Sequence, residues 1–386
     1  MKDFSFHLPT KVVFGAGKVS MLGEVTKDFG RRALLVVDPS LDQSGLSDEI
    51  VASFTRASIE SIKFTDIHPN PSCFAIDKAA EIAKQNHSSV IVGVGGGSTI
   101  DTAKAVAVLC KSDGTAWEHT EEDVPAPKET LPILAVPTTA GTGSEVTPWS
   151  VVSNPDAKDK RALSCCTLFP QVSLIDPELM ISMPRAVTAS SGIDALSHSL
   201  ESFISSYATP CSKVVAKESL RIAVRYLPEA VANGNNFEAR SQMAWASMLG
   251  GMAITHARTV VPHALGTAAS ALFDAPHGAS IAACLAEVLE RSFTGNFEVF
   301  AELSETLDES TKCLPLHERA EKSSYLVRRL LSDMDYLVRL GDFGIGEEDI
   351  GTMTDWLVRS SFWDDFKAHP RFFAVEEVNQ LLKECL

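Results

Sequence analysis

The 386-residue sequence has no CxxC pair, no long apolar run, no excess of basic charge and no repeat of solenoid period. Each absence removes a class of protein. Eight scattered cysteines, at 73, 110, 165, 166, 211, 284, 313 and 385, rule out a zinc-ribbon or thioredoxin pattern and read as reduced, mostly buried thiols. No stretch reaches the roughly 18 apolar residues that mark a transmembrane helix. Met1 is followed by Lys2, Asp3 and a mixed strand-like stretch, without the apolar core and cleavage site of a secretory signal, so a cytoplasmic location is expected. Thirty-four basic against fifty acidic side chains give a net charge of -16, which repels phosphate backbones; neither nucleic acid nor membrane is an expected partner.

What is present is globular. Apolar residues make up 45% and charged residues 22%, and the length exceeds what one hydrophobic core usually supports, so two domains are expected. The first half alternates short β-rich runs with helical lengths: 33–37 (ALLVV), 62–64, 89–94 (SVIVGV), 131–136 (LPILAV) and 172–175, with an amphipathic segment at 46–56. That alternation predicts a parallel sheet buried on both faces. Beyond Pro184 the β-rich runs cease and 3.6-residue periodicity takes over at 187–205, 212–232 and 239–255. The boundary is placed where Asp176-Pro177 and Met183-Pro184 punctuate the change, giving an α/β domain at 1–183 and an all-α domain at 184–386.

The run at 89–94 leads into Gly95-Gly96-Gly97-Ser98 and a helical stretch at 99–109 containing Asp101 and Lys104. A glycine turn opening a helix lets backbone N–H groups and the helix dipole meet a pyrophosphate, although a tight connection without ligand has the same pattern. The earlier Gly15-Ala16-Gly17-Lys18 lacks a ribose-binding acid at the proper place and is read as a turn. Asp38 ends the run at 33–37, where a carboxylate accepts from an adenosine ribose and repels a 2′-phosphate, or else caps the next helix through Asp38-Pro39-Ser40. A second polar loop, 137–145 (PTTAGTGSE), follows another apolar run. Two such loops can clasp one dinucleotide.

In the helical half, Asp194 and His198 are four residues apart and share a helix face. His263, in a helical stretch, and His277, in an Ala-Pro-His-Gly turn, complete a set of three imidazoles and one carboxylate. Such donors suit Fe(II) or Zn(II) rather than calcium or magnesium. The other histidines lack partners by spacing, though His256 could share the helix face of His263 two turns away, in a supporting role.

Taken in order, 95–105 (GGGSTIDTAKA), 137–147 (PTTAGTGSEVT), 174–180 (LIDPELM), 192–202 (GIDALSHSLES) and 263–278 (HALGTAASALFDAPHG) resemble the iron-containing, or group III, alcohol dehydrogenase family almost end to end. The resemblance implies a dehydroquinate synthase-like architecture: a dinucleotide-binding α/β domain, a helical metal domain, and an active site between them. It puts Asp194, His198, His263 and His277 on the metal-ligand positions. Asp38, Gly95, Gly96, Gly97, Ser98, Thr138, Thr139, Thr142, Lys160 and Leu179 fall on cofactor positions, with Asn70 near the adenosine; Asp101 and Val151 complete the expected set. The implied reaction is hydride transfer between NAD(H) and a small alcohol or aldehyde, with Fe(II), or alternatively Zn(II), as Lewis acid. A homo-oligomer, first a dimer, is expected.

Two positions depart from the family. Many relatives carry a histidine four residues after the third ligand, as a proton relay; Thr267 stands there and cannot titrate near neutrality. In the segment before His263, where relatives commonly have an Asn and small or apolar residues, Arg258 stands out and, with Lys160 or Arg161, suits an anionic group on a short aldehyde; the competing role is a salt bridge. The rival functions are reduction of a keto acid or maleylacetate type substrate, a lyase or synthase of the dehydroquinate synthase superfamily, and a metal- and nucleotide-binding protein without dehydrogenase activity. LIDPELM with the HALG and PHG segments favours the dehydrogenase branch.

Overall fold

The computed structural model describes residues 3–121 and 123–386. The chain divides into two compact units. One comprises His7–Thr139 and Gly143–Met180; the other comprises Ile181–Leu386, Ala140–Thr142 and the described residues up to Phe6.

The first unit holds strands β1 (Lys11–Phe14), β2 (Arg32–Val37), β3 (Glu60–Phe64), β4 (Val90–Gly95), β5 (Ile133–Pro137), β6 (Trp149–Asn154), β7 (Asp159–Ser164) and β8 (Val172–Ile175). Helices α1 (Leu22–Thr26), α2 (Pro39–Gln43), α3 (Leu46–Arg56), α4 (Cys73–Gln85) and α5 (Gly97–Leu109) connect them. Six strands form one parallel sheet in the order β1-β8-β5-β4-β2-β3. Side chains alternate across it with period two. Leu35, Val37, Val92, Val94 and Leu134 pack with Ile50 and Phe54 of α3. Leu34, Val36, Ile91 and Ile133 face the other way, onto Ile76 and Ala80 of α4 and Ala103 and Val106 of α5. Because both faces are covered, the strands read as unbroken apolar runs, each buried aliphatic side chain contributing roughly 1.5–3 kcal/mol relative to exposure.

Three strands escape the sequence pattern. β1 is a four-residue edge strand whose side chains are mostly only partly buried, and β6 and β7 form a separate antiparallel hairpin that mixes polar and apolar residues without a regular period. None carries the continuous apolar signal of a central parallel strand.

The second unit is helical: α6 (Arg185–Ile204), α7 (Pro210–Ala232), α8 (Phe237–Ala257), α9 (Val261–Phe273), α10 (His277–Ser292), α11 (Phe297–Leu307), α12 (Leu316–Asp333), α13 (Ile350–Arg359), α14 (Trp363–Ala368) and α15 (Val375–Glu384). The long amphipathic stretches expected from periodicity become α6, α7 and α8. The placement of His256 is corrected: α8 ends at Ala257, Arg258 takes φ 63°, and α9 starts afresh at Val261 with Pro262 in its first turn. Proline fits a helix start but removes an N–H from a helix interior, so 256 and 263 lie on different helices. The His256 ring stacks on Phe6 with centroids 4.0 Å apart. No helix among the described residues is long and apolar enough to cross a membrane.

Candidate metal centre and dinucleotide loops

The i, i+4 spacing of Asp194 and His198 puts both on one face of α6, with His198 Nε2 3.6 Å from Asp194 Oδ1. His263 enters from the first turn of α9, its Nε2 3.4 Å from the same oxygen, and His277 from the start of α10, its Nε2 4.0 Å away. The rings of His198 and His263 stack at 4.6 Å, and those of His263 and His277 meet edge to face at 5.5 Å. Asp194, His263 and His277 each offer a ligand atom within 4.8 Å of the others, a group able to hold a metal ion, and His198 lies beside it, 3.6 Å from Asp194 Oδ1. Asp194, His198 and His263 are buried, whereas the His277 side chain is 36% exposed and marks the open side of the cluster.

Helix approach sets these distances. A Cβ on Gly278 would lie 2.2 Å from the Ser190 carbonyl oxygen of α6, and one on Gly266 of α9 would lie 3.0 Å from the Ile281 nitrogen of α10. Only glycine permits both crossings.

The second nitrogen of two rings is already engaged. His198 Nδ1 lies 3.3 Å from the Gly141 carbonyl, and His263 Nδ1 lies 2.5 Å from Glu201 Oε1. Each can only donate there, which fixes the proton on Nδ1 and leaves Nε2 with its lone pair directed at the cluster.

These residues fit a divalent ion. Two donors each about 2.1 Å from one tetrahedral ion stand roughly 3.4 Å apart, close to the separations from Asp194 Oδ1. Asp194 Oδ1 and His263 Nε2 are buried and have no hydrogen-bond partner, a costly state that a shared cation relieves. The electrostatics agree. Burial opposes the Asp194 charge, but His198, His263 and His277 hold its carboxyl well below the usual range. Burial likewise opposes protonation of His263, yet Glu201 and Asp194 push it up to about 10, so a cation bound at Nε2 would take the place of the ring's second proton. The pocket draws positive charge.

In the α/β unit, β4 runs into Gly95 and α5, with Gly96 as N-cap and Gly97 and Ser98 in the first turn. A Cβ on Gly95 would come within 2.4 Å of Thr99 Oγ1, so the turn requires glycine. The second loop is fastened to this helix. Thr138 N donates to the Gly95 carbonyl (2.9 Å), and the Thr139 side chain lies against Gly96. Asp101 accepts from Ser144 Oγ (2.6 Å) and Val151 N (2.9 Å). The fully buried Lys104 ammonium donates to Ser144 Oγ, the Thr147 and Trp149 carbonyls and Thr147 Oγ1, at 2.7–3.2 Å. Burial lowers the Lys104 amine to about 8, against the upward pull of Asp101 and Glu145, so it remains charged at neutrality.

Asp38 caps α2, accepting from Ser40 N (2.9 Å) and Ser40 Oγ (2.6 Å), both on Oδ1. The capping role is therefore real, and Oδ2 stays open to a further donor. Asn70, at φ 63°, accepts from the buried Lys160 Nζ at 2.6 Å, and Leu179 packs against the sheet. Thr142 groups with the helical unit. The turn at Gly15-Ala16-Gly17-Lys18 already holds an internal anion: Gly17 N and Val19 N donate to the Asp176 carboxylate at 3.2 and 3.0 Å.

Arg258 is not brought to the cluster. Its exposed guanidinium faces Asp364 at 3.8 Å, and its segment leads into Val260, whose N–H bonds Glu201 on the Nδ1 side of His263. Arg161 pairs with Asp159 and Glu121 and lies over Trp117. Thr267 is buried on α9, one turn after His263. The residue that sequence reading passed over is Glu201, although its spacing of seven from Asp194 within GIDALSHSLES already places it on the ligand face of α6.

A parallel sheet with a glycine turn opening a helix, and a helical unit with a buried carboxylate–imidazole cluster, define a protein built for a phosphate-bearing ligand and one divalent ion. Residues 9–177 match the iron-containing alcohol dehydrogenase family, and residues 188–386 match the C-terminal part of the Fe-containing alcohol dehydrogenase family. The chain belongs to the iron-containing alcohol dehydrogenase family. It is 33% identical over 388 residues to choline dehydrogenase of Bacillus subtilis (strain 168), covering 100% of this chain and 95% of that protein. It is 33% identical over 390 residues to 1,3-propanediol dehydrogenase of Citrobacter freundii, covering 99% and 98%. Among solved structures, sulfoacetaldehyde reductase from Bifidobacterium kashiwanohense in complex with NAD+ matches with TM-score 0.86 and 27% identity over 99% of this chain and 98% of that one.

Proposed function

We propose that this chain transfers hydride between NAD(H) and a small alcohol or aldehyde, acting as an aldehyde reductase with Fe(II), or alternatively Zn(II), held by Asp194, His198, His263 and His277. The carrying observation is the convergence of three Nε2 atoms on Asp194 Oδ1, with two of the four donor atoms buried and unpartnered. When bound, such an ion supplies Lewis acidity at a carbonyl oxygen. The protein contributes a fixed donor set, a mostly buried pocket and ring tautomers set in advance by Gly141 and Glu201.

NAD(H) as the cofactor is supported by the glycine turn at the start of α5, by the carboxylate of Asp38 at the end of β2, and by the NAD+ complex of the sulfoacetaldehyde reductase. Eight free thiols support a reducing, cytoplasmic setting. The named substrates of the relatives run from choline through a diol to a sulfonated aldehyde. A short anionic aldehyde therefore has support from similarity but not from Arg258, which pairs with Asp364.

The test is NADH oxidation by the purified protein, stripped by chelator and reloaded with Fe(II) or Zn(II), against ethanal, butanal, lactaldehyde and succinic semialdehyde. Asp194→Ala should lower kcat/KM by at least about three orders of magnitude, roughly 4 kcal/mol of barrier. The second reading, a metal- and nucleotide-binding protein without dehydrogenase activity, draws on the buried Thr267 in place of the relay histidine. Metal and NADH binding without turnover on any aldehyde would select it.

A further inference from the structure

Asp194, Ser197, His198 and Glu201 follow one another along a single face of α6. Glu201 has no solvent exposure, and its carboxylate takes four contacts: Ser197 Oγ (2.5 Å) and His263 Nδ1 (2.5 Å) on Oε1, and Val260 N (2.7 Å) and His263 N (3.4 Å) on Oε2. The His263 imidazole is thereby bracketed by two carboxylates of one helix, Asp194 facing Nε2 and Glu201 facing Nδ1.

We propose that Glu201 is the positioning residue of the metal centre: as an ionised carboxylate it locks the His263 tautomer, aims Nε2 at the ion, and supplies the second buried negative charge that balances a divalent cation. This rests on the metal reading above. An ionised carboxylate can only accept, so the imidazole proton must stand on Nδ1 and the lone pair on Nε2. Donation to a carboxylate also makes the ring a stronger ligand. The contacts to Ser197 and Val260 fasten the carboxylate and tie the start of α9 to α6, so the ring is oriented before any ion arrives. An amide oxygen at 201 could satisfy Val260 N. It could not supply the charge.

Glu201→Gln separates these roles. Affinities for Zn(II) and Fe(II) are measured by competition with a chromophoric chelator for wild type, Glu201→Gln, Glu201→Asp and Asp194→Asn. The expected result is a 10–100-fold weaker affinity in Glu201→Gln. Partial recovery is expected in Glu201→Asp. Wild-type affinity in a folded Glu201→Gln protein overturns the inference while leaving the metal reading intact. Wild type that takes up neither ion overturns both. Should Glu201→Gln fail to fold, nitrogen NMR of zinc-loaded, 15N-histidine-labelled wild type decides: a protected Nδ1–H resonance that disappears in His263→Asn supports the assignment, and an Nε2–H tautomer at His263 overturns it.

Discussion

Gly278→Ala is the smallest change that should dismantle the metal centre. The new Cβ would stand 2.2 Å from the Ser190 carbonyl oxygen and 2.8 Å from its carbon. A carbon–oxygen contact needs roughly 3.2 Å, so α6 and α10 must separate by about 1 Å, and backbone cannot rotate away as a side-chain tip can. His277 adjoins this glycine, and its Nε2 is already 4.0 Å from Asp194 Oδ1. Two donors on one ion at about 2.1 Å each cannot stand more than about 4.2 Å apart, so the shift removes one ligand. Overpacking should also cost about 1–3 kcal/mol of stability. Gly351→Ala in α13 is the control: its Cβ meets nothing within 4 Å, so helix propensity alone acts and stability holds or rises by up to about 1 kcal/mol. Zn(II) competition and urea unfolding of both apo variants are the measurements. Wild-type affinity and stability in Gly278→Ala would refute the packing argument.

Lys104→Met should leave the Ser144, Thr147 and Trp149 acceptors without their buried donor, costing about 3 kcal/mol in urea unfolding and raising the KM for NADH more than it lowers kcat. Asp365 gives a pH signature: burial, only partly offset by its bond to Thr259, pushes its carboxyl up to about 7 from 3.8. The folded state then holds a proton that the unfolded chain releases, so stability falls as pH rises from about 4 to about 7, by an amount of order 4 kcal/mol. Asp365→Asn should match wild type near pH 4 and exceed it at pH 8; parallel stability–pH curves would contradict this. Arg258→Ala should lower kcat/KM for propanal and succinic semialdehyde by the same small factor, because the guanidinium faces Asp364. A selective loss on the anionic aldehyde would restore a substrate role for Arg258.

The parallel sheet was legible because burial on both faces writes unbroken runs such as ALLVV into the chain. The proposed ligand set came from the sequence in two steps. Asp194 and His198 share a face through local helix geometry, His263 and His277 were grouped with them by donor type, and the family resemblance then put all four on ligand positions. The edge strand β1 and the β6–β7 hairpin were hidden, since partly exposed strands carry polar residues that mimic loops. His256 misled because seven-residue spacing implies a shared face only within one helix, and the chain breaks at Arg258 and restarts at Val261.

By itself the sequence determined which residues can bind an ion or a phosphate, and which helical and strand faces are apolar, because donor chemistry and side-chain periodicity are local properties. The tertiary structure decided which nitrogen of the His198 and His263 imidazoles faces the cluster. Glu201 and Gly141 reach His263 and His198 only once α6, α9 and the 140–142 segment pack together. It also decided that the close approaches of α10 to α6 and of α9 to α10 depend on Gly278 and Gly266, since the closeness of two helices is set by the space between their backbones, which no spacing within either helix encodes.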